Sequence, residues 1–148
     1  MVLIQGHCHT IDAMAPKLIS VVDDDESVRR TTKLLIESFG YRASIFESAE
    51  TFLKSGQLND TCCLVVDVQM PGMNGLQLQR HLTAEGWSIP IIFISAYGNK
   101  ESRRQAMLAG AVAFLDKPFS DEQLLKSLRS AFMLSGDRGN RGSPIENE

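Results

Sequence analysis

Five short apolar runs, Leu18 to Val22, Ala43 to Phe46, Cys62 to Val66, Ile89 to Ile94 and Val112 to Leu115, recur at intervals that leave room for one helix between each pair. The first, third and fourth are apolar at consecutive positions instead of alternating, the pattern of parallel strands covered by helices on both faces. The segments between them supply those helices. Val28, Leu35 and Phe39 mark one face at helical spacing, and Gly40 follows as a stop. Ser48 can cap a short second helix carrying Phe52 and Leu53, and Leu78 with Leu82 carry a third. A fourth, over Lys100 to Ala109, is weakly apolar, with Met107 and Leu108 as its expected anchors. The fifth opens on a capping box, Ser120 with Gln123, and buries Leu124, Leu128 and Phe132. Five strands alternating with five helices predict an α/β fold, an open doubly wound parallel sheet of (βα)5 type.

Length agrees with a single such domain: 148 residues hold one core of this size and not two. Residues 1–15 follow neither period, and Met14 stands just before the first strong strand, so this stretch reads as an upstream extension or an unused start and is expected to be disordered. Residues 135–148, SGDRGNRGSPIENE, have the composition of a polar tail or linker, which leaves 16–134 as the folded unit. At 43% hydrophobic and 22% charged the chain is neither disordered nor a disulfide scaffold. A net charge of −3 argues against a nucleic-acid surface or a polybasic membrane anchor. Three cysteines, the adjacent Cys62 and Cys63 plus Cys8, form an odd set that suits a reducing compartment. With no apolar run of membrane length and no secretory pattern at the start, the expectation is a cytoplasmic protein.

In a sheet of this kind, sites form at the carboxyl ends of the strands, and the residues that close the first, third, fourth and fifth runs are acidic, acidic, hydroxyl and basic. Strand one ends in Asp23-Asp24-Asp25, strand three in Asp67, strand four in Ser95, and strand five in Asp116-Lys117-Pro118. Carboxylates a few ångströms apart repel by roughly 4 kcal/mol per pair at 4 Å and an effective dielectric near 20, so they must be neutralised. A hard divalent cation does this with oxygen ligands and retained waters. Such an ion beside an ammonium and a hydroxyl describes a receptor for a tetrahedral dianion, with phosphate as the candidate.

Four segments, VVDDDESVR, LVVDVQMPGMNG around Asp67, ISA at Ser95 and GAVAFLDKPF ending on Lys117, resemble the receiver domain of two-component response regulators over about residues 17 to 134. The likeness extends in particular to receivers of the FixJ branch, which usually stand ahead of a helix-turn-helix output domain. It implies a flavodoxin-like receiver fold and a phosphoacceptor role for Asp67, which would take a phosphoryl group from a sensor histidine kinase or phosphotransfer protein. It further implies Mg2+ (or Mn2+) as cofactor. Asp24 would be a direct ligand, Asp23 a ligand through water, Asp67 another ligand, and the backbone carbonyl of Gln69 the last. Lys117 and Ser95 would hold phosphoryl oxygens. Ser95 stands where threonine is commoner. Phe114 takes the aromatic switch position, and movement of its ring toward Ser95 would alter the surface of the fourth helix, fifth strand and fifth helix. That surface would pair as a homodimer when phosphorylated. Gln69 and Tyr97 overlook the path of a hydrolytic water and would tune dephosphorylation, and a cis Lys117–Pro118 bond would turn Lys117 to the rim. The resemblance thus implies a signalling phosphoacceptor and not a turnover enzyme, with Mg2+-dependent self-phosphorylation and self-dephosphorylation.

The competing readings are weaker. A phosphohydrolase of the haloacid dehalogenase type needs a second Asp two positions past its nucleophile, and Gln69 stands there. A scaffold that binds without phosphorylation would lack one of the acid pair, the acceptor or the lysine, and all are present. Asp25 reads as the first-turn acid of a helix. His7-Cys8-His9 has no fourth ligand and belongs to the extension. Past the fifth helix only the polar tail remains. The expectation is therefore a stand-alone receiver or one excised from a longer regulator, without nucleic-acid binding by this chain alone.

Overall fold

The computed structural model describes residues 15–96 and 99–140, with side chains through Met133. The chain runs β1 (Leu18–Val22), α1 (Glu26–Ser38), β2 (Arg42–Phe46), α2 (Ala49–Lys54), β3 (Thr61–Asp67), α3 (Gly75–Ala84), β4 (Ile91–Ser95), α4 (Lys100–Leu108), β5 (Ala113–Asp116) and α5 (Asp121–Asn140). All strand pairs are parallel and the order is β2-β1-β3-β4-β5. The chain therefore reverses its winding direction beside β1, and β1 and β3 are neighbours whose carboxyl ends face one crevice.

Consecutive apolar residues are explained by the pleat. Ile19, Val21, Cys63, Val65, Ile92 and Ile94 pack toward Ile36 of α1 and Leu124 and Leu128 of α5. Val22, Leu64, Val66, Ile91 and Phe93 pack on the other side against Phe52 of α2, Leu78 and Leu82 of α3, and Ala106 of α4. Each layer takes alternate residues, so a strand covered on both faces needs no polar positions. Cys63 belongs to this packing, and burial pushes its thiol up to about 12, which leaves it inert.

Local signals end the elements where expected. Ser48 accepts from the Thr51 N–H at 3.0 Å to cap α2, and Ser120 and Gln123 form reciprocal bonds of 3.0 and 2.8 Å at the start of α5. Gly40 follows α1 at φ +96°, a conformation open to glycine.

Three details differ from the sequence reading. β4 starts at Ile91 and not Ile89, because Pro90 has no N–H to give the ladder, although its carbonyl accepts from Leu64 N at 2.9 Å. α4 is not anchored by Met107 and Leu108, which are 43% and 74% exposed; Ala106 is the residue turned to the sheet. The small methyl lets the helix sit close, and the buried Gln79 amide donates to the Ala106 carbonyl at 3.2 Å. Finally, α5 continues to Asn140. The extension before Ala15, with His7-Cys8-His9, lies outside the described residues, as does the tail after Asn140. Among the described residues, no helix is long and apolar enough to cross a membrane.

Candidate functional site

β1 ends at Val22, and the next residue, Asp23, is fully buried. The backbone holds it from both sides: its N–H donates to the Phe46 carbonyl at 3.1 Å, and its own carbonyl accepts from Arg29 Nη1 at 2.8 Å. Asp23 Oδ1 accepts from the Asp25 N–H at 2.9 Å, which tightens the turn into α1. Asp25 itself points away from the cluster and caps α1, accepting from Ser27 N at 2.9 Å and Val28 N at 3.2 Å. Asp24, between them, is exposed.

Asp67 is the last residue of β3 and is 5% exposed. Its Oδ1 accepts from the Gln69 N–H at 3.1 Å, and its Oδ2 accepts from Lys117 Nζ at 3.1 Å. The loop beyond it is folded back hard. The Gly75 N–H donates to the Val68 carbonyl at 2.9 Å, and a Cβ at Gly75 would stand 2.5 Å from the Asp67 carbonyl oxygen. Any side chain there would drive α3 off the strand that carries Asp67. Glu50 of α2 secures the same loop, accepting from the Met73 N–H at 2.9 Å.

Lys117 directly follows β5 and is joined to Pro118 by a cis bond, and its N–H donates to the Ser95 carbonyl at 2.8 Å. Its ammonium lies 3.1 Å from Asp67 Oδ2 and 3.1 Å from Asp23 Oδ2, so one cation serves two buried carboxylates. Ser95, 1% exposed, ends the neighbouring strand β4. Phe114 lies further back on β5, with its ring 6.2 Å from that of Phe93. Tyr97 lies outside the described residues.

Asp67 is pushed up to about 6, first by burial and then by the Asp23 charge, against the opposing pull of the Gln69 N–H and Lys117. Burial works against the charged form of Lys117, yet the two carboxylates outweigh it and hold the ammonium above its ordinary range. Two carboxylates and one ammonium leave a net negative charge, and Asp24 adds to it. Ligand oxygens of Asp23, Asp24 and Asp67 lie within 4.8 Å of one another. Buried Asp23 Oδ2 has the Lys117 ion pair but accepts no aligned hydrogen bond from a described residue. An all-oxygen set with surplus negative charge and an under-satisfied buried oxygen fits a hard divalent ion of the Mg2+ class.

Of the residues selected from the sequence, Asp23, Asp24, Asp67 and Lys117 thus meet at one rim, Ser95 borders it, and Gln69 touches it through its backbone. Arg29, Glu50 and Arg103 were not among them. Arg29 could have been suspected, since it lies one helical turn from the cap residue Asp25; Glu50 and Arg103 reach segments distant in sequence, for which no local pattern exists.

Trp87 sits just past α3 and ahead of β4, its N–H donating to the Leu82 carbonyl at 2.9 Å. It lies at the amino end of the sheet, with the length of β4, roughly 15 Å or more, between it and the rim. Mg2+ titration is expected to change tryptophan emission little while calorimetry records binding; strong quenching would contradict this placement.

A family model, the response regulator receiver domain, matches residues 19–129. The chain is 45% identical over 120 residues to the response regulator protein TmoT of Ectopseudomonas mendocina, covering 80% of this chain and 54% of that protein. It is 36% identical over 121 residues to the transcriptional regulatory protein FixJ of Azorhizobium caulinodans, covering 82% and 57%. The chain therefore spans about half the length of these curated relatives. Among solved structures, the response regulator StyR matches with a TM-score of 0.77 at 42% identity, covering 84% of this chain and 63% of StyR. FixJ-N matches with a TM-score of 0.72 at 34% identity, covering 80% and 94%.

Proposed function

Because the chain belongs to the family of response regulator receiver domains, the signalling modules of two-component systems, we propose that Asp67 accepts a phosphoryl group from a histidine kinase or phosphotransfer protein. The observation that carries this reading is the shared ammonium: Lys117 bridges Asp23 and Asp67 at 3.1 Å each, at the carboxyl ends of their strands. A purely structural ion pair would not set a second buried carboxylate on the same ammonium, with a third, exposed carboxylate whose oxygen lies within 4.8 Å of both.

In the proposed step an Asp67 oxygen attacks phosphorus, the P–O bond forms, and the P–N bond of the donor's phosphohistidine breaks with the electron pair leaving on the imidazole. Asp23, Asp24, Asp67 and the Gln69 carbonyl would hold Mg2+ or Mn2+, which when bound supplies charge against the phosphoryl oxygens. Lys117 exchanges its Asp67 partner for a phosphoryl oxygen, keeping Asp23 as its anchor. The Ser95 hydroxyl donates to another oxygen, and the Phe114 ring follows Ser95. Small acyl phosphates would serve as donors by the same route, with their carboxylate as the leaving group, and attack of water on phosphorus would break the P–O bond to Asp67, releasing inorganic phosphate and restoring the carboxylate. The product is a state of the protein and not a released compound, so the domain acts as a switch.

The changed surface is that of α4, β5 and α5, through which phosphorylated copies would pair. The output is proposed to be transcriptional, supported by the likeness to the transcriptional regulatory protein FixJ.

Calorimetric Mg2+ titration tests the site. Asp24→Asn and Asp67→Asn should each weaken binding about tenfold or more, since each removes one charged ligand. Affinity should also fall as pH is lowered through about 6, because Asp67 must be deprotonated to coordinate. Undiminished binding in both variants would overturn the assignment.

A further inference from the structure

α4 is held to the sheet by few groups. Among the described residues Ala106 is the side chain it buries, and Gln79 fastens it from α3. Its remaining grip is Arg103, which reaches across to β5 in three ways. Its guanidinium carbon stands 4.7 Å from the centre of the Phe114 ring, its Nη1 donates to the Phe114 carbonyl at 3.1 Å, and its Nη2 lies 3.4 Å from Asp116 Oδ2. One side chain therefore holds the ring, the backbone and the next residue of the same face.

The register shows what this hold opposes. Phe114 pairs with Phe93 and Asp116 with Ser95, and Phe93 and Phe114 share a cluster with Ala106, so this is the α4 face of the sheet. Ser95 lies two residues past Phe93 on that face, about 7 Å along the strand. On the reading that the Phe114 ring moves toward Ser95, that movement would have to alter the ring's contact with the Arg103 guanidinium.

We propose that Arg103 is a positioning residue for the switch, a latch that ties α4 to β5 and keeps Phe114 away from Ser95 until phosphorylation releases it. The inference rests on the reading of Asp67 as phosphoacceptor and Phe114 as follower. Side chains of Arg103 and Asp116 are 46% and 64% exposed, so their ion pair is screened and contributes least. The guanidinium on the ring and the bond to the carbonyl do most of the holding. A latch of this modest strength suits a device that a phosphoryl group must overcome. Weakening it shifts the resting equilibrium toward the switched state and tightens every ligand that prefers that state.

The probe is beryllofluoride, a phosphoryl mimic, titrated by calorimetry into the full chain with saturating Mg2+. Arg103→Ala should bind it about fivefold more tightly than wild type, Asp116→Asn should show a smaller gain, and Arg103→Lys, a cation without the fork, should fall between. Affinity for Mg2+ alone should stay within about twofold of wild type. In a Phe114→Leu background, where the bonds to the carbonyl and to Asp116 remain but there is no ring to hold, the gain from Arg103→Ala should shrink to less than half, an outcome a general loosening of α4 would not give. Unchanged or weaker beryllofluoride binding in both Arg103→Ala and Asp116→Asn, or a gain that is undiminished without the ring, overturns the latch. Wild-type protein that fails to bind beryllofluoride, or Asp67→Asn that binds it equally, overturns instead the phosphoacceptor reading and the latch with it.

Discussion

Incubated with Mg2+ and acetyl phosphate, the wild-type protein is expected to take up one hydroxylamine-labile phosphoryl group per chain, and Asp67→Asn none. The carboxamide has nearly the shape of the carboxylate but no anionic oxygen to attack phosphorus, so a loss of at least ~10²-fold is expected. Asp23 cannot replace it, being fully buried and committed to the Asp25 N–H and Lys117. Lys117→Ala should keep Mg2+ binding, since it removes a competitor for the carboxylates, yet slow uptake by about 10²-fold, the usual cost of deleting one group that stabilises transition-state charge. Equal incorporation in wild type and Asp67→Asn would sink the assignment.

The second large effect is on stability, and its sign depends on metal. Asp67 is raised from 3.8 to about 6 in the folded protein. Below pH 3.8 the carboxyl is protonated in both states and costs nothing. Between 3.8 and about 6 the unfolded chain ionises while the folded one keeps its proton, so stability falls as pH rises, and above about 6 the full penalty remains. Without Mg2+ at pH 7 to 8, Asp67→Asn should therefore be more stable than wild type by about 1–3 kcal/mol, several degrees in Tm, with the gain gone by pH 4. Mg2+ reverses the order: at 100 times its Kd it adds about 2.7 kcal/mol to a protein that binds it, and the variant has lost a ligand. Thermal melts at both pH values, with EDTA and with excess Mg2+, check this. A variant less stable than wild type at pH 8 in EDTA would show that the site is not strained by its own charge.

The sheet and the rim were legible in the sequence for different reasons. Runs such as Cys62 to Val66 and Ile91 to Ile94 announce strands buried on two faces, because each pleat must feed a separate core layer. The acids, the hydroxyl and the lysine announce themselves by standing where those runs stop, and a doubly wound sheet brings strand ends to one edge. Asp25 shows the limit of local reading on the favourable side: its cap is a short-range bond, so its separation from the acid pair could be anticipated. α4 shows the opposite. Its buried position is an alanine, which carries little hydrophobic signal, while its exposed Met107 and Leu108 carry much, so periodicity points to the wrong face. Arg103 and Glu50 were invisible for a related reason. Their partners, Phe114 and Asp116 on β5 and the Met73 N–H after β3, become neighbours through the tertiary fold alone.

Whether Asp67 is the phosphoacceptor is decided by trapping the phosphorylated protein with borohydride and mapping the reduced residue by peptide mass spectrometry. Reduction of an acyl phosphate converts aspartate to homoserine, and homoserine at position 67 is the expected product. Homoserine at position 23, 24 or 25, or phosphate recovered unreduced on a serine or histidine, would contradict it.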